Sequence, residues 1–146
     1  MSLSPRQLAK IRELGRTCNE LELRHEARRA AISTQRDYLA TLNRKLEQLP
    51  RTRDAAIRDA TTPEQHDAAV SRQRKEEDRL REEILTARAE LEQLQDQLSA
   101  ITQISAPRRE LLDRLLKSFN LSRHDAGVAF GDDSRGPRET ISLGAG

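Results

Sequence analysis

The sequence predicts an all-α fold: a long antiparallel two-helix coiled-coil hairpin with a short third helix and a disordered C-terminal tail. Two apolar heptad repeats and the prolines between them are the observations that predict it. The a and d positions of the first repeat are Ile11, Leu14, Cys18, Leu21, His25, Arg28, Ile32, Gln35, Leu39, Leu42, Leu46 and Leu49. Those of the second are Val70, Gln73, Glu77, Leu80, Ile84, Ala87, Leu91, Leu94, Leu98 and Ile101. Because an apolar seam with a mean spacing of ~3.5 residues packs against another helix, both segments are expected to pair.

Composition agrees with an elongated helical protein. Charged residues make up 34% of the chain and aromatic residues 2%, and there is no Trp. A compact globule would need more large side chains in its core, whereas a two-helix seam needs few. The formal net charge of +2 comes from 26 basic and 24 acidic groups. This mixture argues against a dedicated nucleic-acid binder, which would carry a strong basic excess.

The first helix is predicted to begin at Ser4, which can cap it, with Pro5 in the first helical position and Gln7 closing a capping box. Gly15 is a weak point, since glycine inside a helix costs about 1 kcal/mol. We expect a continuous helix that bends there, and the alternative is a short separate first helix. Pro50 is expected to end the helix.

Residues 50–62 are predicted to form the tip of the hairpin. Thr62 and Pro63 then give a second start signal, with Gln65 closing the box. The second helix is expected to run to about Gln103, before the break at Pro107. The hairpin therefore occupies residues 1–106.

The nearly equal lengths of the two seams favour pairing within one chain. Folding them back on each other places Leu46 near Val70 and Gln35 near Leu80. The short connection favours this arrangement, because it keeps the effective concentration of the two helices high. The alternative is a parallel dimer or trimer in which each segment pairs with its copy. A hairpin is also compatible with a dimer, in which two hairpins form a four-helix bundle.

Residues 107–121 are predicted to form a short amphipathic helix. Its apolar residues, which form two columns, are Leu111, Leu112, Leu115, Leu116 and Phe119. This stripe is wider than a two-helix seam requires. The helix either packs at the base of the hairpin, near Ile11 and Leu14, or docks in a partner. The glycine-rich segment 122–146 is predicted to be a flexible tail.

Little in the sequence suggests catalysis or a cofactor. The three histidines are scattered, no glycine-rich phosphate loop appears, and no spacing is typical of a metal site. We therefore expect no enzyme activity, cofactor or metal. Cys18 lies on the seam, where cysteine acts as a small hydrophobe. No apolar run approaches the ~18 residues of a membrane span, and the N-terminus shows no signal sequence. We expect a cytoplasmic protein, or one packaged into a particle assembled in the cytoplasm, without membrane contact.

Polar residues interrupt the seam at His25, Arg28, Gln35 and Glu77. Such residues usually trade stability for register or partner choice. One interpretation is that their charged ends reach water from a thin seam. The other is that a further helix or subunit covers them.

Two places are expected to bind a partner. One is the amphipathic helix, and the other is the tip, where Arg53, Asp54 and Arg58 crowd a turn. We expect a non-enzymatic structural or adaptor protein that docks into a larger assembly through protein partners and itself, as a homodimer or higher oligomer. A phage or virion component is one such protein. In size and two-helix outline the chain also resembles the small stalk proteins of type III export ATPases, which implies a place in a secretion system.

Two alternatives remain open at this point. One is a nucleic-acid accessory protein, in which basic residues of the C-terminal helix region contact phosphates. Those residues are Arg108, Arg109, Arg114, Lys117 and Arg123. The other is a regulator that inserts the hairpin tip into a partner, as bacterial RNA-polymerase secondary-channel factors do. Those factors add a zinc or β domain, which this sequence lacks.

Overall fold

Two long helices that pack against each other make up most of the structure. It is a computed structural model and describes residues 3–130. Helix α1 spans Pro5–Asp59, helix α2 spans Pro63–Ser118, and a short 3-10 turn follows at His124–Ala126. The described residues contain no strand. The predicted all-α hairpin is confirmed, and every a and d residue of both repeats is at least partly buried.

Both long helices begin with the predicted capping residues. The Ser4 hydroxyl accepts from the Gln7 N–H at 3.1 Å, and the Gln7 amide oxygen accepts from the Ser4 N–H at 2.9 Å. At the start of α2, the Thr62 hydroxyl accepts from the Gln65 N–H at 3.1 Å. These bonds satisfy N–H groups that have no partner within the first helical turn.

The prolines do not end the helices as the sequence predicts. Helix α1 continues through Pro50 to Asp59, and only residues 60–62 connect it to α2. Pro50 leaves one helical hydrogen bond unmade and costs about 3 kcal/mol. On either side of it, Leu49 and Ile57 are partly buried. We attribute the continuity of α1 to that packing.

The shorter connection changes the register of the hairpin. Gln35 was expected near Leu80, but its side-chain amide donates to the Ala87 carbonyl at 3.0 Å. Tyr38 donates to Glu83 at 3.2 Å. The expected pairing is therefore wrong by about one heptad. When the turn moves along the chain by a few residues, the residue opposite a given position moves by twice as many.

Helix α2 likewise continues through Pro107 to Ser118. The predicted break at Pro107 is wrong, and residues 107–118 extend α2 instead of forming a third helix. The second heptad repeat was expected to end before Pro107. Its a positions continue at Ser105 and Leu112, which are both buried. Serine at one of these positions hides the continuity.

Contacts divide the chain into two units. Among the described residues, the loop unit comprises residues 30–96, and the terminal unit comprises residues 3–29 and 97–130. The core of the loop unit consists of Leu39, Leu42, Leu80, Ile84 and Ala87, with Leu46, Leu49 and Leu91 packed against it. All of these residues come from the two helices, so this unit is a two-helix seam.

The core of the terminal unit draws on a third segment. Its buried residues are Ile11, Cys18, Leu112, Leu116, Ala126 and Val128. The last two follow the end of α2, so the chain turns back there onto the helices. No helix of the described residues is long and apolar enough to cross a membrane.

Candidate interaction surfaces

The chain reverses direction at the end of α2 through a Schellman motif. Asn120 takes a left-handed conformation with φ of 56°. The Leu121 N–H donates to the Leu116 carbonyl at 2.8 Å, and the Asn120 N–H donates to the Lys117 carbonyl at 3.2 Å. These are the two bonds of the motif, and Leu121 adds the apolar contact that usually accompanies them.

A second motif of the same kind follows immediately. Ser122 and Asp125 cap each other's N–H groups at 2.8 and 3.1 Å. The Val128 N–H then donates to the Arg123 carbonyl at 3.0 Å, while Gly127 holds φ of 75°. The two reversals lay residues 121–130, which we call the clasp, against α1.

Residues of α1 hold the clasp in place. Asn19 donates to the Gly127 carbonyl at 2.8 Å and accepts from the Ala129 N–H at 2.9 Å. Gly15 is buried beneath the clasp, and a Cβ atom there would overlap the Ala126 carbonyl oxygen. The glycine therefore allows a close approach of two backbones.

The prediction of a flexible tail over residues 122–146 placed the start of the tail too early in the chain. Ala126 is 0% exposed and Val128 is 7% exposed, so the segment 122–130 contributes to the core of the terminal unit. The sequence interpretation counted glycines and missed the two turns that need Asn120 and Gly127. The remainder of the predicted tail, residues 131–146, lies outside the described residues.

Arg109 connects α2 to α1 and to the end of the clasp. Its guanidinium lies 2.6 Å from Glu22, and its central carbon lies 5.1 Å from the centre of the Phe130 ring. The ion pair is partly buried, and the ring adds a cation–π contact. Arg109 is therefore occupied within the terminal unit.

Cys18 lies in the core beneath the clasp and is 2% exposed. Burial raises the pKa of the Cys18 thiol above its ordinary value of 9.0, although Arg109 opposes this effect. A thiol that stays protonated and covered is a poor nucleophile. This position agrees with its predicted place in the seam.

The amphipathic stretch of α2 divides into covered and uncovered residues. Leu112 and Leu116 are 1% and 5% exposed, so neither is available to a partner while the terminal unit is closed. Leu115 and Phe119 are half-buried. Of the five apolar residues predicted to bind a partner, only Leu111 is exposed, at 44%.

One exposed residue that the sequence interpretation did not select lies near Leu111. Ile104 is 47% exposed and precedes Leu111 by seven positions, or two helical turns. Arg108 and Arg114 flank the pair and are exposed. We call these four residues the apolar–basic face. Their spacing was readable in the sequence, but the expected helix break at Pro107 separated Ile104 from the rest.

The predicted tip residues lie on the last turns of α1. Arg53, Asp54 and Arg58 are all exposed, and the Arg53 guanidinium lies 3.9 Å from the Asp54 carboxylate. A cavity of about 250 Å³ lies beside Arg53. Its lining residues are Leu49, Pro50, Arg53, Val70, Gln73, Arg74 and Glu77. The buried amide oxygen of Gln73 accepts no hydrogen bond within the described residues.

The polar seam residues are partly buried and differ in their contacts. Gln35 bonds across the seam, and Glu77 lies 3.2 Å from Arg81 on its own helix. In residues 3–130, His25 Nδ1 and Arg28 Nε are buried without a hydrogen-bond partner. His25 and Arg28 therefore weaken the seam of the terminal unit.

The predicted basic surface is only partly available. Arg109 binds Glu22, and the Arg123 guanidinium lies 3.4 Å from Asp113. Of the five basic residues considered for phosphate contacts, these two are already paired. Within the described residues, no group of three or more His, Cys, Asp or Glu side chains could hold a metal ion.

The chain matches no family model, no curated protein and no solved structure. The function is therefore inferred from the contacts and exposures described above.

Proposed function

We propose that this chain is a non-enzymatic structural or adaptor protein that docks into a larger protein assembly. The observation that carries the proposal is the exposure of Ile104 and Leu111 on one side of α2. In the terminal unit, Leu23 is a single exposed leucine on α1, whereas Ile104 and Leu111 lie two helical turns apart on the same side of α2 and both face solvent. Exposed aliphatic residues that share one side of a helix are candidates for a protein interaction site, whereas single ones are common on any surface.

Several assemblies are compatible with this function. A phage or virion component and a secretion-system stalk both need a helical protein that contacts others through its surface. Self-association is part of the same proposal. The exposed tip residues Arg53, Asp54 and Arg58 offer a second contact point of the kind that a regulator would use.

A nucleic-acid accessory function has less support. Internal ion pairs occupy Arg109 and Arg123, and Arg108 and Arg114 flank exposed aliphatic side chains. Phosphate binding gains nothing from aliphatic neighbours, whereas a protein interface does.

The experiment is site-specific photocrosslinking in the cells from which the chain comes. A benzophenone amino acid is placed at Leu111 and, as a control, at Gln103, which is exposed and polar. We expect one recurrent protein adduct at Leu111 and none at Gln103. Leu111→Asp should also shift the chain from a large complex to a smaller size in native gel filtration. Equal adducts at both positions, or an unchanged elution volume, would contradict the proposal.

A further inference from the structure

We propose that the apolar–basic face binds an acidic amphipathic helix of a partner protein. This inference rests on the adaptor function proposed above and names the chemistry of the partner. It depends on the shape of the face, on two arginines that no carboxylate among residues 3–130 pairs with, and on the side of the terminal unit that remains open.

The shape of the face fits a helix. Ile104 and Leu111 lie about 10 Å apart along α2, at 1.5 Å per residue. Pro107 lies between them on the same side and is exposed. A strip of this kind matches a helix that presents apolar side chains at i, i+3 or i+4, and i+7.

The charges of the face call for carboxylates. The Arg108 guanidinium donates to the Ile104 carbonyl at 3.0 Å, which holds the cation beside the apolar strip. Arg114 lies three positions after Leu111, on the other end of the strip. Among residues 3–130, neither arginine lies within 4.0 Å of a carboxylate, although Glu110 is one turn from Arg114. A partner with Glu or Asp beside its apolar residues would pair with both arginines.

The clasp determines which side of the terminal unit a partner can reach. In the heptad assignment Gly15 and Arg109 occupy e positions, whereas Ile104 and Leu111 occupy g positions. In an antiparallel pair, e and g positions lie on opposite flanks of the seam. The clasp covers the e flank through Gly15 and Arg109. A partner helix therefore meets the g flank, where the two aliphatic residues are exposed.

Fluorescence anisotropy with the full chain tests this inference. The probe is a labelled synthetic helix of about five turns with leucines on one side and glutamates flanking them. The control peptide has lysine in place of each glutamate. We expect the acidic probe to bind roughly tenfold tighter than the basic one.

Charge reversal on the face provides the matched comparison. Arg108→Glu combined with Arg114→Glu should weaken the acidic probe and make the basic probe the better ligand. Arg16→Glu, at an exposed arginine on α1, should leave the preference unchanged. Ile104→Ser combined with Leu111→Ser should weaken both probes, whereas Leu23→Ser, at a leucine that is 67% exposed elsewhere, should not. Circular dichroism of each variant verifies that the helices are intact.

Several results would overturn the inference. They are equal binding of the two probes, an unchanged preference after charge reversal, and tighter binding of duplex DNA or of anionic vesicles than of the acidic probe. Loss of self-association as the only effect of Leu111→Ser would identify a second copy as the occupant instead. If photocrosslinks at Leu111 persist while the acidic probe fails, the partner class is wrong and the adaptor function stands. If those crosslinks are absent, the adaptor function itself fails.

Discussion

The loop unit and the terminal unit cover the seam between α1 and α2 in different ways. Both contain a heptad seam between α1 and α2. The loop unit buries Leu42 and Leu80 between two helices alone and leaves Leu46 and Leu91 only partly buried. The terminal unit adds Ala126 and Val128 from the clasp and buries Leu112 almost completely. A third segment of ten residues therefore closes one flank of a seam and leaves the other flank for contacts outside the unit.

The largest effect is expected when leucines of the two seams, one fully and one partly buried, are shortened. Leu112→Ala should cost about 2–5 kcal/mol, because it opens a cavity in a fully covered core. Leu91→Ala should cost less than half as much, because its side chain is already partly hydrated. Urea denaturation of each variant measures both values. Equal losses would mean that Leu91 is covered as completely as Leu112.

The clasp can be tested through the sign of the change in unfolding free energy that one substitution causes. Gly15→Ala removes a helix-destabilising glycine, a gain of about 1 kcal/mol, but it also forces the Ala126 carbonyl away. In the natural chain we expect net destabilisation. In a background with Asn19→Ala and Val128→Asp, which releases the clasp, Gly15→Ala should stabilise by about 1 kcal/mol. The same sign in both backgrounds would show that the clasp does not depend on Gly15.

In the loop unit, one substitution should increase stability. The amide oxygen of Gln73 is buried without a donor among the described residues, and an unpaired polar atom of this kind costs about 1 kcal/mol or more. Gln73→Leu should therefore raise the denaturation midpoint. Gln93→Leu, at an exposed position of the same helix, should leave it nearly unchanged. A loss of stability in Gln73→Leu would reveal that the oxygen has a partner.

The smallest expected effect concerns pH. Because burial raises the pKa of Cys18, the folded state holds its proton to a higher pH than the unfolded state does. The stabilisation that comes from keeping the thiol protonated is complete below the ordinary thiol pKa of 9.0. It is lost as the pH rises through the pKa of the thiol in the folded state. The stability difference between the natural chain and Cys18→Ala should therefore shrink above pH 9.0. A difference that stays constant across this range would contradict the raised pKa.

The fold was largely predictable from the sequence because period and caps are local signals. The heptads and the capping residues Ser4 and Thr62 identify the helices directly. The prolines were misleading. The energetic cost of a proline inside a helix can be estimated from the local sequence, whereas the tertiary packing that offsets this cost cannot. Pro50 and Pro107 were therefore expected to end helices that in fact continue. The error at Pro50 also displaced the register.

The candidate surface was predictable only in part. Leu111 and the basic residues stood out by composition, but their availability depends on what covers them. The clasp decides this, and its signals are single residues: Gly15 in a helix, Asn120 and Gly127 at left-handed turns, and Ser122 with Asp125 as a cap. Each is unremarkable alone. Only the folded structure shows that Gly15 contacts Ala126, although the two residues lie far apart in the sequence.

The long sequence separation between α1 and the clasp affects the order in which the two units fold during synthesis. The bonds from Gln35 and Tyr38 in the loop unit join residues 52 and 45 positions apart, whereas those from Asn19 to the clasp join residues 108 and 110 positions apart. A growing polypeptide can thus pair its loop unit once residue 96 has left the ribosome. Ile11 and Cys18 must wait until residue 128 has also emerged. Residues 11–18 are therefore made before the loop unit but completed after it, and in the interval their apolar side chains are open to chaperones.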